Sequence, residues 1–199
     1  SYSIKETKTR KRAIPKTAMD SIKAAQFEPG SPRWHTRNIF LFSFYNRGMN
    51  FADMAKLRMS DIESDRLYYR RSKTGKPLSV KLTDATREIL STYIAGKSGD
   101  DLVFPILKRD TPELQMKDLY NGRKTFNNYL NKIAKKLEIK SHLTSYVARH
   151  SWATIAKDLN IPISVISEGL GHEDIKTTQI YLDEFDTSVI DDANKLITG

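Results

Sequence analysis

Three polar positions in the last third of the chain have the types and spacing for one kind of chemistry. They are Arg149, followed directly by His150, then His172 just after Leu170-Gly171, and Tyr181 nine positions further on. A tyrosine hydroxyl that attacks a phosphodiester builds negative charge on the non-bridging oxygens. An arginine fork neutralises that charge with two parallel hydrogen bonds, and a histidine adds a further donor. Free tyrosine has a pKa of about 10, so it also needs cationic neighbours to react near neutral pH. Taken singly, each residue is ordinary: a tyrosine ending an amphipathic segment is usually core, and Gly-His after a helix is usually a cap. Their order and spacing carry the argument.

Short helices must bring these side chains together. Thr144 or Ser145 is placed to cap the helix that carries Arg149 and His150. Gly171 is a natural helix-ending residue, which sets His172 immediately past a helix C-terminus. Asp174 can cap the segment that leads to Tyr181. The full pattern is Arg149-His150 with Ala153-Thr154, then Leu170-Gly171-His172, then Thr177-Thr178 and Tyr181. It resembles the second signature box of the tyrosine recombinases, also called phage integrases.

That resemblance implies an earlier helix–turn–helix bearing a second arginine and an acid, followed by a lysine on a hairpin. Residues 40–62 resemble that first box, with Gly48, Asp53, Leu57 and Ser60-Asp61-Ile62 in place. The position expected to be arginine, two after the glycine, is Asn50. Losing one transition-state donor costs about 10²–10³ in rate, so another cation must fill the site or the enzyme is crippled. Arg71 and Lys73 lie two apart on an expected strand and would leave the same face, which ranks Arg71 first as the substitute. Arg47 ranks second. The plain alternative is that Asn50 is only a helix N-cap.

Lys73 matches the family's hairpin lysine, which protonates the departing 5′ oxygen. An alkoxide is a poor leaving group without that proton. Tyr146 stands where the family has histidine, three residues before Arg149 on the same helical face. It can donate a hydrogen bond to a phosphate oxygen but is a poor base. His150 is expected to make a structural hydrogen bond, and Asp53 to orient its neighbours from behind the reacting groups.

Composition agrees with this chemistry. The 199 residues fit one medium domain with one core, and 39% hydrophobic and 29% charged residues are ordinary for a globular protein. No apolar run approaches the roughly 18 residues of a membrane helix, and the first residues carry no signal-peptide pattern. The absence of cysteine excludes disulfides and thiolate metal sites and suits an intracellular setting, which the resemblance narrows to the bacterial cytoplasm, on the nucleoid when bound to DNA. His35 and His142 have no partners at metal-ligand spacing, so no metal or other cofactor is expected. A net charge of +9 points to a polyanionic partner. Lys8, Arg10, Lys11 and Arg12 make the front basic, whereas Asp183, Glu184, Asp186, Asp191 and Asp192 make the tail acidic. The front and Lys76 are expected to face DNA phosphates.

The periodicity predicts a mainly α-helical α+β domain with a small antiparallel β-sheet, the fold the resemblance implies. Helices are expected from Pro15 or Thr17 to Ala24, after the Ser31-Pro32 cap, over Phe51 to Leu57 with Asn50 and Asp53 as a capping box, and after Thr83. Leu67–Lys73 and Pro77–Leu82 read as a hairpin joined by Thr74-Gly75. A long helix carries Phe126, Leu130, Ile133 and Leu137 on one stripe. Residues 1–13 read as a basic arm from a separate DNA-binding domain, 14–182 as the catalytic domain, and 183–199 as a tail helix with Phe185, Val189, Ala193, Leu196 and Ile197 on one face. That tail would dock on its own core or on a neighbouring protomer, the latter as in family members that form tetramers on double-stranded DNA.

The resemblance therefore implies a site-specific recombinase of mobile-element type. Its two departures, Asn50 and Tyr146, are similar to those of integrases from Bacteroides-type elements. Two rivals share these residues: a type IB topoisomerase that relaxes DNA, and a catalytically impaired DNA-binding relative.

Overall fold

The computed structural model describes residues 13–179, Leu182 and residues 194–197. Tyr181, Lys8, Arg10, Lys11, Arg12 and most of the expected tail helix lie outside the described residues. At the centre lies α2 (Pro32–Tyr45), begun as its sequence demands: Pro32 occupies the first turn and Ser31 Oγ accepts from Trp34 N at 3.2 Å. Phe40, Leu41 and Phe42 on this helix are almost wholly buried. Around it pack α1 (Lys16–Ala24) through Met19 and Ile22, α4 (Asp84–Ile94) through Ile89, Leu90 and Tyr93, and α5 (Pro112–Lys136) through Phe126 and Leu130. Phe104 closes this core against Phe42, edge to face at 4.8 Å between ring centroids. Thr83 caps α4 as expected, its Oγ1 accepting from Thr86 N.

Three antiparallel strands, β1 (Ile62–Glu63), β2 (Arg66–Arg70) and β3 (Pro77–Lys81), lie in that order. Leu67 pairs with Val80, and both side chains turn into the protein. The ladder ends earlier than the alternation suggested. Arg71 N donates to Lys76 O at 2.9 Å, and Arg71 O accepts from Gly75 N at 2.7 Å, so residues 71–76 form a closed loop instead of strand. Arg71 and Lys73 therefore do not share a strand face: Arg71 is buried and Lys73 exposed. The helix α3 (Phe51–Lys56) corrects a second expectation. Asn50 makes no side-chain cap, and Asp53 Oδ1 instead accepts from Ser72 N at 2.8 Å, tying α3 to the hairpin loop.

The last third forms α6 (Val147–Asp158), α7 (Ile163–Leu170) and α8 (Ile175–Gln179). Besides the main core, Ala153, Ala156, Ile166 and Leu170 build a satellite cluster with Trp152 and Leu182 against it. Neither Thr144 nor Ser145 caps α6 with its side chain. Two amides of α5 hold its entry: Asn131 bonds both backbone groups of Leu143, and Asn127 Oδ1 accepts from Ser145 N at 2.8 Å. These bonds fix where α6 begins, and so where Arg149 points. Among the described residues no helix is long and apolar enough to cross a membrane.

Candidate active site

The site is built on the C-terminal end of α7. Gly171, at φ +70°, ends that helix in the left-handed conformation that glycine takes at least cost. A helix end leaves carbonyls without intrahelical partners and carries partial negative charge. Here three successive carbonyls each accept from a different cation. Arg149 Nη2 donates to Leu170 O, Arg71 Nη1 to Gly171 O at 3.1 Å, and Lys76 Nζ to His172 O at 3.3 Å. The three cations come from α6 and the hairpin loop, and α7 draws them to one point.

Arg149 is 2% exposed and Arg71 7%, so both guanidinium groups are held almost out of water. Arg149 Nη1 also donates to Gly48 O at 3.2 Å, linking the turn between α2 and α3 to α6. Arg71 Nε has no hydrogen-bond partner among the described residues. A buried donor without a partner is costly, and an anion in the site is the natural partner for it.

His172 lies between these cations. Its Nε2 faces Arg149 Nη2 at 3.0 Å, and its Nδ1 faces Thr178 Oγ1 at 2.8 Å. Burial first, and then the charges of Arg149, Arg71, Lys76 and Lys73, push its pKa down to about 4. The imidazole is therefore neutral near pH 7. Lys73 is also within electrostatic reach of His172, although its side chain is exposed on the turn. Tyr69, beneath the cluster, is pushed up to about 12 by burial and the charge of Asp53, against the pull of Arg149, Arg71 and Arg47.

The sequence-expected residues thus divide. Arg149, His172, Arg71 and Lys76 meet directly, Lys73 lies at the rim, and Asp53 holds the hairpin loop from behind. Arg47, half-buried at φ 58°, sends its Cδ toward Gly169. The side chain of Asn50 makes no cap hydrogen bond. Tyr146 sits at the start of α6, 39% exposed, with its ring 6.3 Å from that of the buried His150. Lys76, expected to meet DNA, bonds the backbone of His172. Thr178 was visible in the sequence pattern but carried no role there. The Asn127–Asn131 clamp was missed, though two asparagines one helical turn apart beside the Phe126–Leu130 stripe are a readable signal.

A buried, preorganised group of donors with net positive charge can bind a phosphodiester and stabilise charge developing on it. Comparison with known proteins agrees with that chemistry. The pattern of the phage integrase family matches residues 5–188 of the chain. The tyrosine recombinase XerA of Saccharolobus solfataricus is 37% identical over 121 residues, covering 61% of this chain and 36% of the relative. The tyrosine recombinase XerD of Halalkalibacterium halodurans is 27% identical over 180 residues, covering 87% of this chain and 58% of the relative. The chain spans less than two thirds of the length of either. Among solved structures, a XerA recombinase superposes with a TM-score of 0.65 at 20% identity, over 92% of this chain and 62% of the other. The Tn1549 transposon integrase in complex with transposon right end DNA superposes with a TM-score of 0.71 at 10% identity, over 98% and 69%. At these identities the structural likeness is one of fold.

Proposed function

The chain belongs to the phage integrase family, and from that membership we propose that it is the catalytic part of a site-specific DNA recombinase acting through a 3′-phosphotyrosine intermediate. In this reading Tyr181 gives its hydroxyl proton to solvent, its oxygen attacks the scissile phosphorus, and the bond to the 5′ oxygen breaks. Lys73 donates the proton that lets this oxygen leave as a hydroxyl. A 5′ hydroxyl from a second strand then gives its proton back to Lys73, attacks the phosphotyrosine, rejoins the backbone and releases Tyr181, which takes a proton from solvent. The phosphotyrosine bond keeps the energy of the phosphodiester, so the cycle needs neither ATP nor a metal ion. Double-stranded DNA is the substrate, and the basic front of the chain (Lys8, Arg10, Lys11 and Arg12) would lie along its phosphates. The tail, with Leu196 and Ile197 exposed, would link protomers on that DNA.

The observation that carries this reading is the set of three cations gathered on the Leu170, Gly171 and His172 carbonyls. Arg71 is among them, which supports it as the stand-in for the arginine missing at position 50. It reaches the site from the hairpin loop, buried and with one donor still unused. Tyr146, more exposed and at the helix entry, would add at most a neutral hydrogen bond.

The test is the rate of covalent adduct formation on nicked duplexes taken from the element's ends. Arg71→Ala should slow it by about 10²–10³ while leaving binding to intact duplex nearly unchanged, and adding Asn50→Arg should restore part of the loss. An unchanged rate in Arg71→Ala would move the role to Arg47. Relaxation of supercoiled DNA with no exchange between partners would favour the topoisomerase reading.

A further inference from the structure

Thr178 is wholly buried, and its hydroxyl meets the Nδ1 of His172 at 2.8 Å. On the other side of the ring stands Arg149, whose guanidinium carries only donors. The Nε2 that faces Arg149 Nη2 at 3.0 Å must therefore present its lone pair. A neutral imidazole has one ring proton, so that proton is on Nδ1 and is donated to Thr178 Oγ1. The backbone of His172 is held as well, its N–H on Ser167 O at 3.0 Å and its carbonyl on Lys76 Nζ. The ring has little freedom to turn.

This tautomer has a consequence for anion binding. A phosphodiester oxygen that draws Arg149 away from His172 meets an unprotonated Nε2, lone pair against lone pair. The nitrogen becomes a donor only by taking a proton from solvent, because the Nδ1 proton is already committed to Thr178. In the free site Arg149 from α6 and Arg71, Lys73 and Lys76 from the hairpin loop all oppose that second proton. The negative charge of the phosphodiester offsets them and favours the imidazolium.

We propose that Thr178 is a positioning residue that fixes His172 in its Nδ1–H tautomer, so that the site takes up one proton when it receives the scissile phosphate. The proposal rests on the recombinase reading for its ligand but not for the tautomer. Without the threonine hydroxyl the ring proton is free to move to Nε2, and a neutral ring can then donate to phosphate with no proton taken up. Serine keeps the hydroxyl and should keep the behaviour.

The experiment has two arms, both on the full chain. In the first, nitrogen NMR of histidine-labelled protein without DNA reads the tautomer of His172. The expected result is a protonated Nδ1 and a bare Nε2 in the parent and in Thr178→Ser, and a shift toward Nε2–H in Thr178→Val. A parent with its proton on Nε2 overturns the proposal. In the second arm, affinity for an intact duplex is followed from about pH 8 to pH 5 in a Tyr181→Phe background. Single-proton uptake makes binding tighten as pH falls, by up to about tenfold per pH unit. That slope should persist in Thr178→Ser, flatten in Thr178→Val, and flatten when the scissile phosphate is replaced by an uncharged methylphosphonate. Equal slopes in Thr178→Val and the parent would overturn it. A chain that binds no duplex contradicts the recombinase reading instead, and the NMR arm then decides the tautomer alone.

Discussion

Arg149→Ala should reduce covalent adduct formation by about 10³ or more, the largest loss among the phosphate-binding residues. One guanidinium here does several things at once. It donates to Leu170 O and Gly48 O and faces His172 Nε2, so it ties together the turn after α2, α6 and the end of α7 around the place where phosphate charge would develop. Its removal takes away a buried charge and leaves two carbonyls without that donor, each at a cost of about 1–3 kcal/mol if water does not reach it. Loss of positive charge also relieves the neighbouring cations, so the pKa of His172 should move back up toward its ordinary value. Two measurements separate the contributions. Thermal unfolding reports the structural part, and adduct formation well below the melting temperature reports the chemical part. A variant that stays folded and forms adduct within tenfold of the parent rate would remove Arg149 from the site's chemistry. Arg149→Lys should recover little, because an ammonium cannot reproduce the planar fork that reaches both carbonyls.

Gly48→Ala should be among the most destabilising single methyl additions in the protein, at about 3–5 kcal/mol. Gly48 has φ +70°, a conformation alanine adopts only with strain. A Cβ there would stand 2.4 Å from Arg149 Cα and 2.5 Å from Arg149 Cβ. The obstacle is the backbone of α6, so a rotamer change cannot relieve it. For a chain of this size the melting temperature should fall by about 10 °C. Since Gly48 O also receives Arg149 Nη1, the variant should lose adduct formation even at temperatures where it remains folded. A melting temperature within about 2 °C of the parent would show that α6 does not approach Gly48 this closely. The glycine of the first box thus has a packing role that its position alone did not reveal: it lets the two boxes touch.

Much of this arrangement was readable from local chemistry. Ser31-Pro32 and Thr83 start helices because a side-chain oxygen satisfies an otherwise unpaired N–H, and Gly171 ends one because it tolerates positive φ. The stripe of Phe126, Leu130 and Ile133 gave the buried face of α5. Arg149 and His172 were legible as a pair through the resemblance to a known family. What the sequence concealed lies in contacts between distant segments. The alternation from Leu67 to Lys73 suggested a long strand, but the carbonyl of Arg71 bonds Gly75 N–H and ends it. That closure buries Arg71 and leaves Lys73 outside, so the shared-face argument that ranked Arg71 first does not hold, and Arg71 reaches the cluster by another route, through its bond to the Gly171 carbonyl. Asp53 stood at the capping-box position by spacing. Its carboxylate serves Ser72, 19 residues away, because the hairpin loop presents a backbone N–H there. Lys76 read as one more DNA-facing charge, and only the fold brings it to the His172 carbonyl, 96 residues on. The clamp of Asn127 and Asn131 was hidden for the same reason, since its partners Leu143 and Ser145 belong to another element.

The identity of the nucleophile bears most directly on the whole account, because every cation in the cluster is interpreted as serving a phosphate that Tyr181 attacks. The decisive measurement incubates the parent protein and Tyr181→Phe with nicked duplexes from the element's ends, in chelator, and resolves the products on a denaturing gel. The expected result is a protein–DNA adduct in the parent that survives denaturation and is absent in Tyr181→Phe, with duplex binding equal in the two. An adduct that persists in Tyr181→Phe would assign the attack to another residue, and specific binding with no adduct in the parent would make the chain a DNA-binding relative without strand-transfer chemistry.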